Sequence, residues 1–177
     1  MADRTVEIPS TEVPEMPEIL EKVLLFAMTE AKEKAVAGQD VIPFTALVVK
    51  DNLFLETHPG ETAEECFAFA QHTVQGARGA EAYALCYDGY IDTDDGMKDA
   101  LIAEGGVPGA DKGHAISFLY TEGDDGLSFE EEPAYVGEAP NFMIALKDAS
   151  EYGDDEIDDR YLDDEDAEAA GEPADEA

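Results

Sequence analysis

The chain has 177 residues, and its 44 Asp or Glu against 10 Lys or Arg leave a formal net charge of −34. Such a balance lacks the basic footprint that nucleic acid requires and disfavours an anionic membrane surface. The partners this field attracts are cations and basic proteins, while its plainest consequence is solubility in an acid-rich or salt-adapted proteome.

The length fits one domain with room for flexible ends, enough to bury a core without staples. The longest apolar run, Val23 to Met28, is far short of the roughly 20 residues a membrane span needs. The first residues carry no apolar core of a secretory signal. Two cysteines, Cys66 and Cys86, make no disulfide framework, so the sequence reads as cytoplasmic with both thiols reduced and buried.

Residues 1–15 read as a flexible arm, because Pro9 and Pro14 interrupt any helix and nothing apolar repeats. From Pro17 to about Ala37, Leu20, Val23, Leu24, Ala27, Ala31 and Ala35 recur at helical spacing, with charges between them and Gly38 as a stop. Ile42 to Val49 and Leu53 to Leu55 read as a β-hairpin around a Lys50-Asp51-Asn52 turn. Thr62 and Glu65 have the spacing of a capping box, opening a second helix over about 63–77.

The densest β signal follows. Tyr83, Leu85 and Tyr87 alternate with Ala82, Ala84 and Cys86, giving a large face and a small face that a helix can approach closely. Asp88-Gly89 is expected to bend this strand and Asp94-Asp95-Gly96 to turn it back into Ala100 to Ala103. Residues 105–113 read as a loop, and His114 to Tyr120 as a strand. Thr121 to Gly126 forms a turn, Leu127 to Phe129 and Ala134 to Val136 make short strands, and Asn141 to Leu146 closes the core. The order α-β-β-α-β-β-β-β predicts an α+β domain over 16–147, an antiparallel sheet with two helices packed on one face. Residues 148–177 hold fifteen Asp or Glu and one Arg, and read as a disordered acidic tail.

The element order over roughly 18–87, with a helix bearing Glu64-Glu65-Cys66 after the hairpin, resembles that of the zinc nucleoside deaminases. That resemblance implies a zinc-held water activated by a glutamate. The family's ligands are missing from the corresponding stretch: no His neighbours Glu65, and Cys86 has no second cysteine three residues away. No cofactor or metal site is therefore expected. Asp92-Thr93-Asp94-Asp95-Gly96 glances at a calcium loop, but glycine is fifth rather than sixth and the twelfth residue is Ala103.

His58, His72 and His114 are the only imidazoles; Cys66 and His72 lie six apart on one helix and face different sides. Tyr83, Tyr87 and Tyr90 read as packing residues. The expectation is a non-catalytic interaction module for a basic protein partner. The alternatives are a Cys/His-dependent hydrolase and a small-molecule or cation-binding module. Within the tail, Ile157, Tyr161 and Leu162 are apolar residues set among carboxylates, candidates for docking on a partner.

Overall fold

The computed structural model describes residues 5–7, 15–157 and 168–169. Helix α1 (Glu18–Val36) starts at Pro17, whose carbonyl accepts the Leu20 and Glu21 amides at 3.0 and 3.1 Å. Proline suits that place because its missing N–H costs the helix nothing there. Helix α2 (Ala63–Gln75) opens on the expected capping box: the Glu65 amide donates to Thr62 Oγ1 at 3.1 Å, and the Thr62 amide to Glu65 Oε2 at 3.2 Å.

Strands β2 (Phe44–Val49) and β3 (Asn52–Thr57) are joined by Lys50 and Asp51, both at positive φ, 52° and 66°. A two-residue turn of this hand matches the natural twist of the strands it joins. Then come β4 (Ala82–Thr93), β5 (Gly96–Gly106), β6 (Gly113–Gly123), β7 (Gly126–Phe129) and β8 (Ala134–Ala139). The short β1 (Thr5–Glu7) and β9 (Glu168–Ala169) complete the strands among the described residues.

The sheet order is β7-β6-β5-β4-β2-β3-β9. β8 lies beside the first half of β6, and β1 runs parallel to the second half of β4; every other pair is antiparallel. The α+β class and the element order are those expected from the sequence. The bend expected at Asp88-Gly89 is absent, because Gly89 stays in register with Ala100 and β4 runs unbroken. Gly105 and Gly106 belong to β5 rather than to a loop.

The helices take opposite faces of the sheet, not one. α1 shares its core with Phe44, Ala46, Ala82, Ala84, Cys86, Leu101 and Ala103. On the other face Ala70 and Val74 of α2 pack with Leu47, Tyr83, Leu85, Tyr87 and Ile102. The physical reason is that β2 and the first half of β4 are buried at every position. A strand apolar on both sides needs a layer over each. α1 takes the small face, where Ala27 and Ala31 meet Ala82, Ala84 and Ala103 and the backbones can approach.

One end of the sheet is latched by Asn141. Its side-chain amide donates to the Val107 and Ala110 carbonyls, both at 2.8 Å, and its Oδ1 accepts the Met143 amide at 3.0 Å. The chain then passes through 3-10 turns at Ala149–Glu151 and Asp154–Glu156 to Ile157, which is 6% exposed and part of the α2-side core. The segment from 148 to 157 therefore lies on the body, beyond the boundary expected at 147. The remainder of the expected tail lies outside the described residues except for Glu168–Ala169, which pairs with β3. Most of the expected N-terminal arm is likewise outside them; Thr5–Glu7 pairs with Tyr90 to Asp92.

Candidate functional site

The thiols and imidazoles are the first chemistry to place. Cys86 points into the α1-side core with no exposure, and burial drives its pKa far above that of a free thiol. Cys66 is buried on α2, which covers the opposite face. The two sulfurs thus belong to different layers. Both should resist thiol labelling in the native protein and react fast once it is unfolded. Labelling of either within minutes under native conditions would contradict this placement.

His58 is 3% exposed, and its Nε2 lies 2.9 Å from the Thr45 hydroxyl. Burial lowers its pKa, against a smaller opposing pull from Glu56. The folded state therefore takes up a proton less readily than the unfolded chain. Stability from this group is complete above about pH 6.5, the unfolded value, and is lost as pH falls from there through the lower folded value. A positive slope of unfolding free energy over the pH unit below about 6.5 is expected, and it should flatten in His58→Gln; equal slopes would refute it. His114 lies on the other face, with Nδ1 3.0 Å from the Tyr135 hydroxyl.

Tyr83 and Tyr87 are fully buried on the α2 side. The Tyr83 hydroxyl donates to the Pro140 carbonyl at 3.3 Å and accepts the Phe142 amide at 3.0 Å. Tyr87 donates to Glu104 Oε2 at 2.7 Å and meets the Phe67 ring edge-on at 4.9 Å. Glu104, only 1% exposed, was not singled out in the sequence. Its signal was there: Ala100, Ile102 and Glu104 share one strand face, so the carboxylate had to enter the core with them.

An open cleft of about 510 Å³ lies at the latched end, between Pro17, Lys50, Glu81, Pro108 and the returning segment at Asp148 and Tyr152. Ile157 forms part of its wall and packs against Gly79. As a docking residue Ile157 fails, because it is spent on the chain's own core. Tyr161 and Leu162 lie outside the described residues. Among the described residues no group of three His, Cys, Asp or Glu side chains is placed to hold a metal ion. No helix there is long and apolar enough to cross a membrane.

The opposite end of the sheet is different in character. The β4–β5 and β6–β7 hairpins adjoin where β5 and β6 pair, from Gly105–His114 to Ala100–Leu119, and each ends in the same turn, Asp94-Asp95-Gly96 and Asp124-Asp125-Gly126. Each glycine has positive φ, 103° and 109°, a conformation that disfavours side chains, so the two aspartates are left as the exposed tips. Thr93 fixes the first turn by donating to the Gly96 carbonyl at 2.7 Å and accepting the Asp95 amide at 3.2 Å. The sequence hinted at a calcium loop in this segment, and the fold uses it as a hairpin tip. Asp92 and Glu122 flank the tips and are exposed.

On the α1 side of these hairpins the chemistry becomes mixed. Asp88 and Tyr90 of β4, Asp99 of β5 and Tyr120 of β6 are all half-buried there. Tyr90 is in register with Asp99, and Tyr120 donates to Asp88 Oδ1 at 2.7 Å. Burial raises the Asp88 carboxyl, the Tyr120 hydrogen bond opposes this, and the charge of Asp99 raises it further. Tyr120 is itself raised by burial, by its bond to Asp88 and by the nearby charges of Asp88 and Asp99. Tyr90, read from sequence as a packing residue with Tyr83 and Tyr87, sits on the opposite face from them. No family model matches the chain, and neither a curated protein nor a solved structure is detectably similar to it.

Proposed function

We propose that this chain is a non-catalytic interaction module that binds a basic protein partner through the end of the sheet formed by its β4–β5 and β6–β7 hairpins. The observation that carries the reading is an exposed Asp-Asp tip on each of two hairpins that adjoin through β5 and β6, flanked by Asp92 and Glu122, in a chain of net charge −34. A field of this sign speeds encounter with a basic surface, and exposed carboxylates at the hairpin tips give it a place to act. Three groups a Cys/His hydrolase would use support the same reading. Cys86 is held protonated by burial, Cys66 lies under the opposite layer, and His58 is engaged with Thr45.

The test is titration with oligolysine. Binding should weaken steeply as salt rises from about 50 to 500 mM. Changing Asp94, Asp95, Asp124 and Asp125 together to Asn should weaken it about tenfold at the low-salt end. Changing Glu21, Glu33, Glu61 and Glu64 together to Gln removes as much charge from the helices and their approach, and should weaken it less. Equal losses, or no binding by the unaltered chain, would refute the reading.

A further inference from the structure

We propose that the C-terminal segment guards the open edge of the sheet: Glu168–Ala169 pairs with β3 and keeps a second copy of this chain from adding to it strand to strand. The inference stands apart from the basic-partner reading. β3 holds neither proline nor lysine, pairs with β2 without a bulge, and carries one charge, Glu56. Such an edge is a template for another strand unless something blunts it. A two-residue turn closes on a hydrogen-bonded pair, here Val49 and Asn52, and the pairs alternate from there. Asn52, Phe54 and Glu56 therefore turn amide and carbonyl toward β2, and Leu53, Leu55 and Thr57 turn theirs to the edge. The His58 amide, donating to the Pro43 carbonyl at 2.8 Å, keeps the same phase.

β9 meets Leu53, the first of the three outward positions, with Glu168, and reaches no further among the described residues. Leu55, Glu56 and Thr57 are exposed beyond it. So short a cover suffices because of what the remaining positions allow. Two copies related by a two-fold axis join such edges antiparallel, each outward residue meeting an outward residue. Three such registers pair two or more outward positions of β3. Centred on Leu55, the pairing sets Leu55 against Leu55 and Leu53 against Thr57; centred on Phe54, it sets Leu53 against Leu55. Both need Leu53, which β9 holds. Centred on Glu56, it sets Leu55 against Thr57 and leaves Leu53 aside. That register brings the two Glu56 side chains directly opposite, where like charges are destabilising. The cover is a poor template in its turn. It is two residues long, it carries Glu168, and residues 163–166 before it in the sequence are all acidic. The net charge of −34 keeps copies apart at low salt. About 1 M salt shortens the reach of that charge to roughly 3 Å, and there the hydrogen-bonded cover has to act alone.

The experiment follows the full chain by amide hydrogen exchange, and by sedimentation in about 0.1 M and about 1 M NaCl. In the unaltered chain the Leu53 amide should exchange at least about tenfold more slowly than the Leu55 and Thr57 amides. That chain should sediment as a monomer at both salts. Glu168→Pro removes the amide that faces Leu53. The Leu53 amide should then exchange like those of Leu55 and Thr57, and at high salt the variant should dimerise with a dissociation constant of about 100 μM or tighter. Adding Leu55→Pro, whose ring replaces an outward amide that serves no bond to β2, should return it to a monomer. A Leu53 amide as fast as those of Leu55 and Thr57 in the unaltered chain would overturn the guard whatever any variant does. So would dimers of the unaltered chain at high salt, or a Glu168→Pro chain that stays monomeric there. A dimer that survives the second proline would place the contact on another surface and overturn it as well.

Discussion

Replacing Ile157 by alanine should lower the free energy of unfolding by about 2–4 kcal/mol. Ending the chain at Lys147 should cost more. Ile157 is 6% exposed in the α2-side core, its side chain lies over Gly79, and Tyr152 packs against the same cluster. Gly79 sits at φ 94°, and a Cβ there would meet Ile157 Cγ1 at 2.7 Å, so the glycine makes room for the isoleucine. The alanine variant leaves a hole that this latched end cannot fill, because Asn141 ties the neighbouring loops in place. In a domain of this size the loss corresponds to a fall in melting temperature of roughly 5–15 °C. Thermal unfolding of the two proteins decides it. A truncated chain that melts with the intact one would mean that residues 148–157 are dispensable, as their charge alone suggests.

Gly105→Ala should be the most damaging single methyl addition. A Cβ at this position would lie 2.0 Å from the Tyr83 carbonyl oxygen and 3.2 Å from Ala84 Cα. Both belong to the backbone of β4, which can yield only by breaking the β4–β5 ladder at the centre of the sheet. A loss of about 3 kcal/mol or more is expected, large enough to prevent accumulation of folded protein. Gly96→Ala at the hairpin tip meets nothing within 4 Å and should cost only the strain of its φ, about 1 kcal/mol. Denaturant unfolding of both variants tests the contrast; similar midpoints would contradict it.

The sequence made the helices and strands legible where one physical signal dominated. Leu20, Val23, Leu24, Ala27 and Ala31 are at helical spacing and are all buried in α1. Thr62 and Glu65 form the cap their spacing announced. The small face of Ala82, Ala84 and Cys86 does receive a helix. Which helix goes to which face was beyond local pattern, because that depends on how β2 and β4 pair, a non-local choice. Asp88-Gly89 looked like a bend, yet pairing with Ala100 and Leu101 holds both residues extended. Ile157 looked like part of a solvated acidic run, since five of its six predecessors in that run are small or acidic and the glycine it packs over, Gly79, lies some eighty residues earlier in the chain. The acid–aromatic face was illegible for the same reason. Asp88, Asp99 and Tyr120 come from three strands, and only their register brings them together.

The central claim is that binding is local to the end of the sheet where the two hairpins turn. Amide shift mapping of the labelled chain with a basic peptide tests it most directly. Shifts should concentrate at residues 88–99 and 118–129 and spare the opposite end around Lys50, Pro108 and Asp148. Shifts spread evenly over the acidic surface, or centred on the cleft at Asp148 and Tyr152, would contradict it.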